Sequence, residues 1–178
     1  MKLSKYTLNS KSEITNLFIE TFTDSEGESE GRAIGDLVKT YFTDTEEEDF
    51  LCFVAKEGAK IVSSVFFTKL RFKNDIRAYI LSPMATLSKF QGRGIGQKLI
   101  RFGLDNLREI GVEIVVTYGD PNFYSKVGFQ HISEDIIKAP LKLSMPEGWL
   151  GQSLTSDNIK VLDEKPTCVS ALNKPELW

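Results

Sequence analysis

Gln91-Gly92-Arg93-Gly94-Ile95-Gly96-Gln97 is the stretch on which the reading of this 178-residue chain turns. It follows an apolar run ending near Leu87. It opens a segment in which Ile95, Leu99, Phe102, Leu107 and Ile110 line one side of a helix while Lys98, Arg101, Asp105 and Arg108 face elsewhere. Gly111 stands where a helix C-terminus favours a residue tolerant of positive φ. Glycines before a helix let a ligand approach the backbone, and the unpaired amides of the first turn point outward with the positive end of the dipole behind them. Such a turn suits a phosphate or pyrophosphate. Residues 88 to 101 hold Lys89, Arg93, Lys98 and Arg101 and no acid, a local excess of positive charge. Other uses of the glycines compete: close packing of helix on sheet, or a dinucleotide turn. The latter requires Gly-x-Gly-x-x-Gly within a parallel unit. Here Gly92, Gly94 and Gly96 are spaced two apart, Gln97 takes the third place, and no Gly-x-x-x-x-Gly-Lys-Ser/Thr stretch for a nucleoside triphosphate occurs.

Working outward, Val112 to Tyr118 reads as a buried strand. A strand, a helix and a returning strand imply a right-handed crossover and a parallel pair. Upstream, Phe50 to Ala55, Ile61 to Thr68 and Ile76 to Leu87 are β-branched and aromatic runs. The first two are joined by a hairpin connection at Gly58 and the third follows the Asn74-Asp75 turn, which predicts an antiparallel meander. Ile14, Leu17, Phe18 and Phe22 predict a helix over Glu13 to Phe22 capped by Ser12, and Ile34, Leu37, Val38 and Tyr41 a second over Arg32 to Phe42. In the tail, Ile136-Ile137, Leu141 to Leu143, Ile159 to Leu162 and Cys168 to Leu172 are expected to add antiparallel strands. The expected fold class is mixed α/β, a single domain over residues 1–178 with one central sheet.

Composition narrows the classes. Hydrophobic residues at 41% and charged residues at 26% describe a globular chain. A formal charge of −3 argues against nucleic acid as the main partner, since phosphate neutralisation needs a clustered basic excess. The longest run without Asp, Glu, Lys or Arg is the eleven residues from Ala78 to Ser88, far below the ~20 that cross a bilayer. The lysines at the start are not followed by an apolar core, so no secretion signal is read and a cytoplasmic location is expected, with no membrane partner. Cys52 and Cys168 are far apart and neither neighbours His131 in sequence, so two buried reduced thiols are expected and no metal site. Residues 24 to 49 hold ten acids against Arg32 and Lys39, a net −8. That segment reads as a solvated face or as an electrostatic funnel for a cationic amine.

Gln91-x-x-Gly94-x-Gly96, preceded by Met84 to Phe90 and followed some thirty residues later by Phe123-Tyr124-Ser125-Lys126-Val127-Gly128-Phe129, resembles the acetyl-coenzyme A site of the GNAT-type N-acetyltransferases. Gly119-Asp120-Pro121-Asn122-Phe123-Tyr124 further resembles a bacterial branch of predicted N-acetyltransferases with Gly-Asp-Pro before an aromatic pair. The likeness is good over roughly Phe50 to Phe129 and weaker elsewhere. It implies a single GNAT-like domain: a mostly antiparallel sheet with a splayed parallel pair, flanked by helices, the motif-bearing core spanning about 50–130 and the C-terminal strands and loops 131–178.

The resemblance also implies roles. Main-chain atoms of Met84, Ala85 and Thr86 would hold the pantetheine arm of acetyl-CoA. Gln91, Gly92, Arg93, Gly94, Ile95, Gly96 and Gln97 would hold its pyrophosphate, with Phe123 packing beside the cofactor. Tyr124 would protonate the departing thiolate, and Gly128-Phe129 would start the next strand. Where relatives carry an Asn this chain has Thr117, so Gly119 and Asp120 are candidates for that cofactor contact. Glu113 is a candidate for deprotonating the amine. The expected activity is transfer of acetyl to a small primary amine by direct attack in a ternary complex, without metal, with room for a homodimer and with acceptor contacts from residues 24 to 49 and from the tail near Trp149. The rivals are an acyl-CoA sensor without catalysis and a nicotinamide-dinucleotide enzyme.

Overall fold

The computed structural model describes all residues from Met1 to Trp178. Two compact units emerge, one of Met1–Phe67 with Pro83–Gly103, the other of Thr68–Ser82 with Leu104–Trp178.

In the first unit, Lys2–Lys5 form β1, an edge strand whose lysine-flanked four residues give no recognisable signal in sequence. It pairs antiparallel with β2 (Phe50–Glu57), Leu3 opposite Ala55. The helix expected from Glu13 begins earlier, as α1 (Lys11–Glu26). A turn at Leu8–Ser10 leads into it, and Ser10 Oγ bonds back to Thr7 O at 2.6 Å, so Ser12 is not the cap. Glu13 instead accepts the Ile61 amide at 2.7 Å and closes the start of β3 (Lys60–Leu70). Gly27 ends α1 at φ +98°, and α2 (Glu28–Asp44) starts at once, four residues before the expected Arg32. Its first turn is exposed and carries Glu28 and Glu30, which favour a helix N-terminus by charge rather than by apolar spacing. The two helices pack closely because α2 offers glycine toward α1: a Cβ on Gly35 would lie 2.5 Å from Ile19 Cγ1. Phe18, Tyr41 and Phe66 are fully buried there.

β2 and β3 meet at the predicted Gly58 turn, where φ is +59°. Cys52 to Ala55 and Ile61 to Phe67 are buried at every position, so both faces of this hairpin are covered, which explains runs without polar alternation. Cys52 is inside, its thiol pushed up to about 12 by burial, whereas Cys168 is only half-buried.

In the second unit, the first half of β4 (Ala78–Thr86, of which Ala78–Ser82 lie in this unit) and β5 (Ile114–Tyr118) are parallel as predicted, in register from Ala78–Ile114 to Leu81–Thr117. The crossover is α3 (Ile95–Glu109), with Gly111 at φ +79° beyond its end. After α4 (Pro121–Tyr124) and a further turn ended by Gly128 at φ +93°, β6 (Gln130–His131) and β7 (Trp149–Ser153) follow, β7 lying between β5 and β6. The strand order is β1-β2-β3-β4-β5-β7-β6, a mixed α/β fold with a mostly antiparallel sheet and one parallel pair.

The tail corrects the sequence reading. Of the four apolar runs expected to be strands, only Ile137 and Leu162 meet, in one isolated bridge, and Ser170–Leu172 is a 3-10 turn. Ile137, Ala139, Leu143, Leu162 and Val169 are each buried as single residues of an irregular chain, while Pro140, Pro146 and Pro166 remove ladder donors between them. The strand that does form, β7, escaped prediction because Trp149 to Gln152 are all buried and so show no alternation. Trp149 is 0% exposed and donates Nε1 to Ile137 O at 2.8 Å, which removes it from any acceptor-facing rim.

Candidate active site

The glycine turn lies in the first unit. Gly92 and Gly94 have φ of +74° and +72°, conformations that L side chains rarely adopt, and a Cβ at either would meet nothing within 4 Å. The backbone there is open to a ligand. Lys98 N donates to Gly94 O at 3.1 Å, the first bond of helical type, so the amides of Ile95, Gly96 and Gln97 have no carbonyl one turn earlier to reach. Alternating left-handed glycines ahead of a free helix start form an anion-binding concavity. Arg93 is exposed, its guanidinium 5.2 Å from the Phe90 ring centroid.

The end of β4 is less uniform than expected. Leu87 N donates to Val62 O at 2.9 Å, so the main chain at Leu87, and two residues earlier at Ala85, points toward β3. Ser63 Oγ donates to Ala85 O at 2.8 Å and lies 2.7 Å from the Thr86 hydroxyl. The Ala85 carbonyl is therefore not free for a pantetheine arm. Met84 and Thr86 present their main chain to the other edge, and of these groups Thr86 O accepts Gln91 Nε2 at 2.9 Å. Gln91 thus braces the turn against β4 with its side chain. Nothing in the sequence marks Ser63 for this part, since a buried serine in an apolar strand has many uses.

In the second unit, Tyr124 ends α4. Asp120 caps that helix: its Oδ1 accepts the Asn122 amide at 2.9 Å, and its carbonyl accepts the amides of Phe123 and Tyr124. Asp120 is accordingly a capping residue, and Gly119 clears space, since a Cβ there would lie 2.8 Å from Tyr124 Cε2. The Tyr124 ring is held edge-on between Phe123 at 5.1 Å and Phe129 at 5.7 Å. Although the residue keeps some exposure, its hydroxyl is enclosed, and this burial pushes the phenol up to about 12. A hydrogen bond with Thr117 lowers it somewhat and the Asp120 carboxylate raises it. Thr117 is itself fully buried and donates Oγ1 to Leu81 O at 2.9 Å. This residue occupies the last register position of the parallel pair, beyond which β4 continues without β5 and carries Pro83, which has no amide to offer.

Glu113 is not brought to Tyr124. It precedes β5, where its carboxylate accepts the Arg77 amide at 3.2 Å and its main chain pairs with Arg77 and Leu154. Five residues along a strand separate it from Tyr118 at the other end, roughly 16 Å at the usual rise. Of the ten acids between residues 24 and 49, nine are exposed and Asp49 is buried. Arg32 pairs with Glu28 and Lys39 with Asp36, and Asp24 accepts the Ser88 hydroxyl at 2.7 Å.

Residues 48–131 match the family model described as an acetyltransferase (GNAT) domain. The chain is 33% identical over 141 residues to the uncharacterized N-acetyltransferase YjhQ of Escherichia coli K12, an overlap of 72% of this chain and 77% of that one. In fold it is similar to the crystal structure of the Escherichia coli N-acetyltransferase YhbS in complex with CoA, with a TM-score of 0.82, 21% identity and coverage of 97% and 92% of the two chains. It is also similar to a GNAT acetyltransferase from Brucella melitensis in complex with acetyl-CoA, with a TM-score of 0.73, 22% identity and 97% of each chain covered. The matched segment contains both the glycine turn and the Tyr124 helix, and with the YjhQ likeness over most of both chains it shows that this chain belongs to the GNAT family of acetyltransferases.

Proposed function

We propose that the protein is a cytoplasmic N-acetyltransferase of the branch carrying Gly-Asp-Pro before an aromatic pair, moving acetyl from acetyl-CoA to a small cationic primary amine by direct attack in a ternary complex. The observation that carries this reading is the glycine turn: free amides from Ile95 to Gln97, two left-handed glycines and open space where a side chain would stand. A pyrophosphate has the charge and the acceptor oxygens that such a turn lacks. The main chain of Met84 and the Thr86 amide are the candidates for the pantetheine arm, and either N–H could stabilise the oxyanion that develops when the amine attacks the thioester, an interaction typically worth a few kcal/mol. Holding amine and thioester together supplies much of the remaining acceleration.

Tyr124 is the proposed proton donor to the departing thiolate. With its phenol near 12 it keeps its proton at any working pH, and it offers a hydrogen bond to the sulfur. Full transfer to a thiol with pKa about 8.5 is uphill by roughly three units, so the phenolate left behind needs a donor of its own. Glu113 has no part in this scheme, and the amine is taken up neutral. The nine exposed acids of α1, α2 and the turn after them favour a cationic acceptor through long-range attraction.

The test is thermal unfolding with coenzyme A and with NAD, followed by acetyl-CoA turnover, read as free thiol, against spermidine, kanamycin, lysine and phenethylamine. Stabilisation by coenzyme A, about 2.7 kcal/mol at a hundredfold excess over Kd, is expected, and NAD should do nothing. Tyr124→Phe should bind coenzyme A normally and lose roughly 100-fold in kcat. Binding without turnover in the wild type would favour a sensor. Neutralising Glu46, Glu47 and Glu48 should raise KM for spermidine but not for phenethylamine if the cationic preference is right.

A further inference from the structure

A groove in the second unit shares no residue with the acetyl-transfer site proposed above. Its volume is about 430 Å³, within the range of small-molecule sites, and it runs between residues 69–79 and residues 110–112. The floor is apolar: Leu70, Tyr79 and Val112 are buried, and Phe72 and Ile76 are half-buried beside them. Ile110 adds an apolar wall and is 50% exposed. The charged residues of the lining are three cations, Lys69, Arg71 and Arg77, against one acid, Asp75, in a chain whose net charge is −3. We infer that this groove is a second ligand site, which takes a small carboxylate with an apolar body, such as an arylalkanoate, with the carboxylate on the Arg77 guanidinium and the body against Ile110, Ile76 and Phe72.

Arg77 is the residue that selects a carboxylate. Its Nη1 donates to Ile110 O at 2.9 Å and stands 2.8 Å from where a Cβ on Gly111 would be, so the guanidinium is fixed over the end of α3. The main chain of Arg77 is tied as well: its N donates to Glu113 Oε2 at 3.2 Å, and its O accepts Glu113 N at 2.9 Å. Glu113 therefore turns its carboxylate to the Arg77 amide and makes no ion pair with the guanidinium. Nε and Nη2 have no acceptor in the protein. These two nitrogens form one edge of the planar group, a fork that matches both oxygens of a carboxylate, and because the group is already held in place little side-chain freedom is lost on binding. The other end of the lining segment is held by the tail: Arg71 and Thr167 exchange both main-chain bonds at 2.9 Å, and Lys73 N donates to Glu164 Oε2 at 2.7 Å. The groove is thus formed before any ligand arrives. A neutral apolar molecule would leave the fork empty, and inorganic phosphate would gain nothing from the apolar floor and would meet Asp75.

The test reads binding and not turnover, so its outcome is separate from that of the acetyl-transfer reading. The isotope-labelled full chain is titrated with 3-phenylpropanoate, with its neutral counterpart 3-phenylpropan-1-ol and with acetate, and the amide and guanidinium resonances are followed by NMR. Saturable shifts are expected with 3-phenylpropanoate at a Kd of about 1 mM or tighter, centred on the Arg77 Nε–H and the amides of Ile76, Ile110 and Gly111. The alcohol, which lacks the charge, should bind at least about tenfold more weakly, and so should acetate, which lacks the body. Ile110→Glu puts a like charge beside the ligand in place of the apolar wall, at a half-exposed position that the fold tolerates, and should weaken 3-phenylpropanoate by about tenfold or more. Arg77→Gln should do the same; if the loss of its bond to Ile110 O unfolds that variant, Ile110→Glu and the alcohol still decide. Shifts that do not saturate, or that centre on other residues, overturn the site. Equal affinity for acid and alcohol overturns the role of Arg77, and unchanged affinity in a folded Ile110→Glu overturns the placement of the apolar body.

Discussion

Gly94→Ala is the perturbation that separates the anion-binding role of the glycine turn from its conformational cost. Gly94 sits at φ +72° with nothing within 4 Å of a Cβ, so the substitution meets no clash and its penalty is backbone strain alone, about 1 kcal/mol. In a chain of this size that lowers Tm by roughly 2–4 °C. Gly58 supplies the matched control: it sits at φ +59°, also with nothing within 4 Å, in the turn between β2 and β3. Gly58→Ala should therefore lose a similar amount of ligand-free stability. The two variants part when coenzyme A is added. At a concentration a hundred times the wild-type Kd, wild type and Gly58→Ala should gain about 2.7 kcal/mol. In Gly94→Ala the methyl group occupies the space through which phosphate oxygens approach the amides. Loss of one charge-assisted hydrogen bond, about 1.5–3 kcal/mol, weakens binding roughly 10- to 100-fold. The ligand-induced gain then falls to between about 1.4 and 0.4 kcal/mol. Differential scanning fluorimetry with calorimetric titration of coenzyme A reads both quantities. An equal ligand-induced gain in the two variants would refute the assignment of the turn to the pyrophosphate, whatever their ligand-free Tm values.

Other outcomes follow from the same geometry. Gly119→Ala places a Cβ 2.8 Å from Tyr124 Cε2, so the ring must move and turnover should fall by at least tenfold with coenzyme A affinity retained; unchanged turnover would show that Tyr124 does not need its present seat. Gly35→Ala drives a methyl group to 2.5 Å from Ile19 Cγ1 and should cost about 1–3 kcal/mol in urea unfolding, without altering the coenzyme A dissociation constant. Burial raises Tyr124 from 10.0 and Cys52 from 9.0, each to about 12, so both are protonated in the folded state where the unfolded chain has begun to ionise. Stability from the two groups is complete below about pH 9 and is lost as pH climbs toward 12. Unfolding free energies measured in urea from pH 8 to 11 should fall, and Cys52→Ala should flatten that slope while Tyr124→Phe affects only its upper part.

How far the sequence carried differs from element to element. The Gln91 to Gln97 turn and the helix after it were legible because glycine spacing, local charge and apolar periodicity are all properties of neighbouring residues. The parallel pairing of β4 with β5 was legible for a related reason, since a strand, a helix and a returning strand admit few connections. The hairpin at Gly58 and the two N-terminal helices were also read, although the helix starts were misplaced where exposed acids, rather than apolar spacing, begin α2. The tail was misread because its apolar residues are buried one at a time by distant partners, and no local period records that.

At the candidate site the division is the same. The glycine spacing and its basic company nominated Gly92 and Gly94, and the family resemblance nominated Tyr124, because such positions depend on what the residue is. What the others do depends on which atoms stand beside them. Only folding turns the Ala85 carbonyl onto Ser63, sets Asp120 to capping α4, holds Glu113 at the far end of β5 and bonds the Thr117 hydroxyl to Leu81 O. The chain's local chemistry determines its turns and periods. The partners of each polar group are settled by strand register and the fork after Leu81, and register couples residues 36 apart that no window of sequence can join.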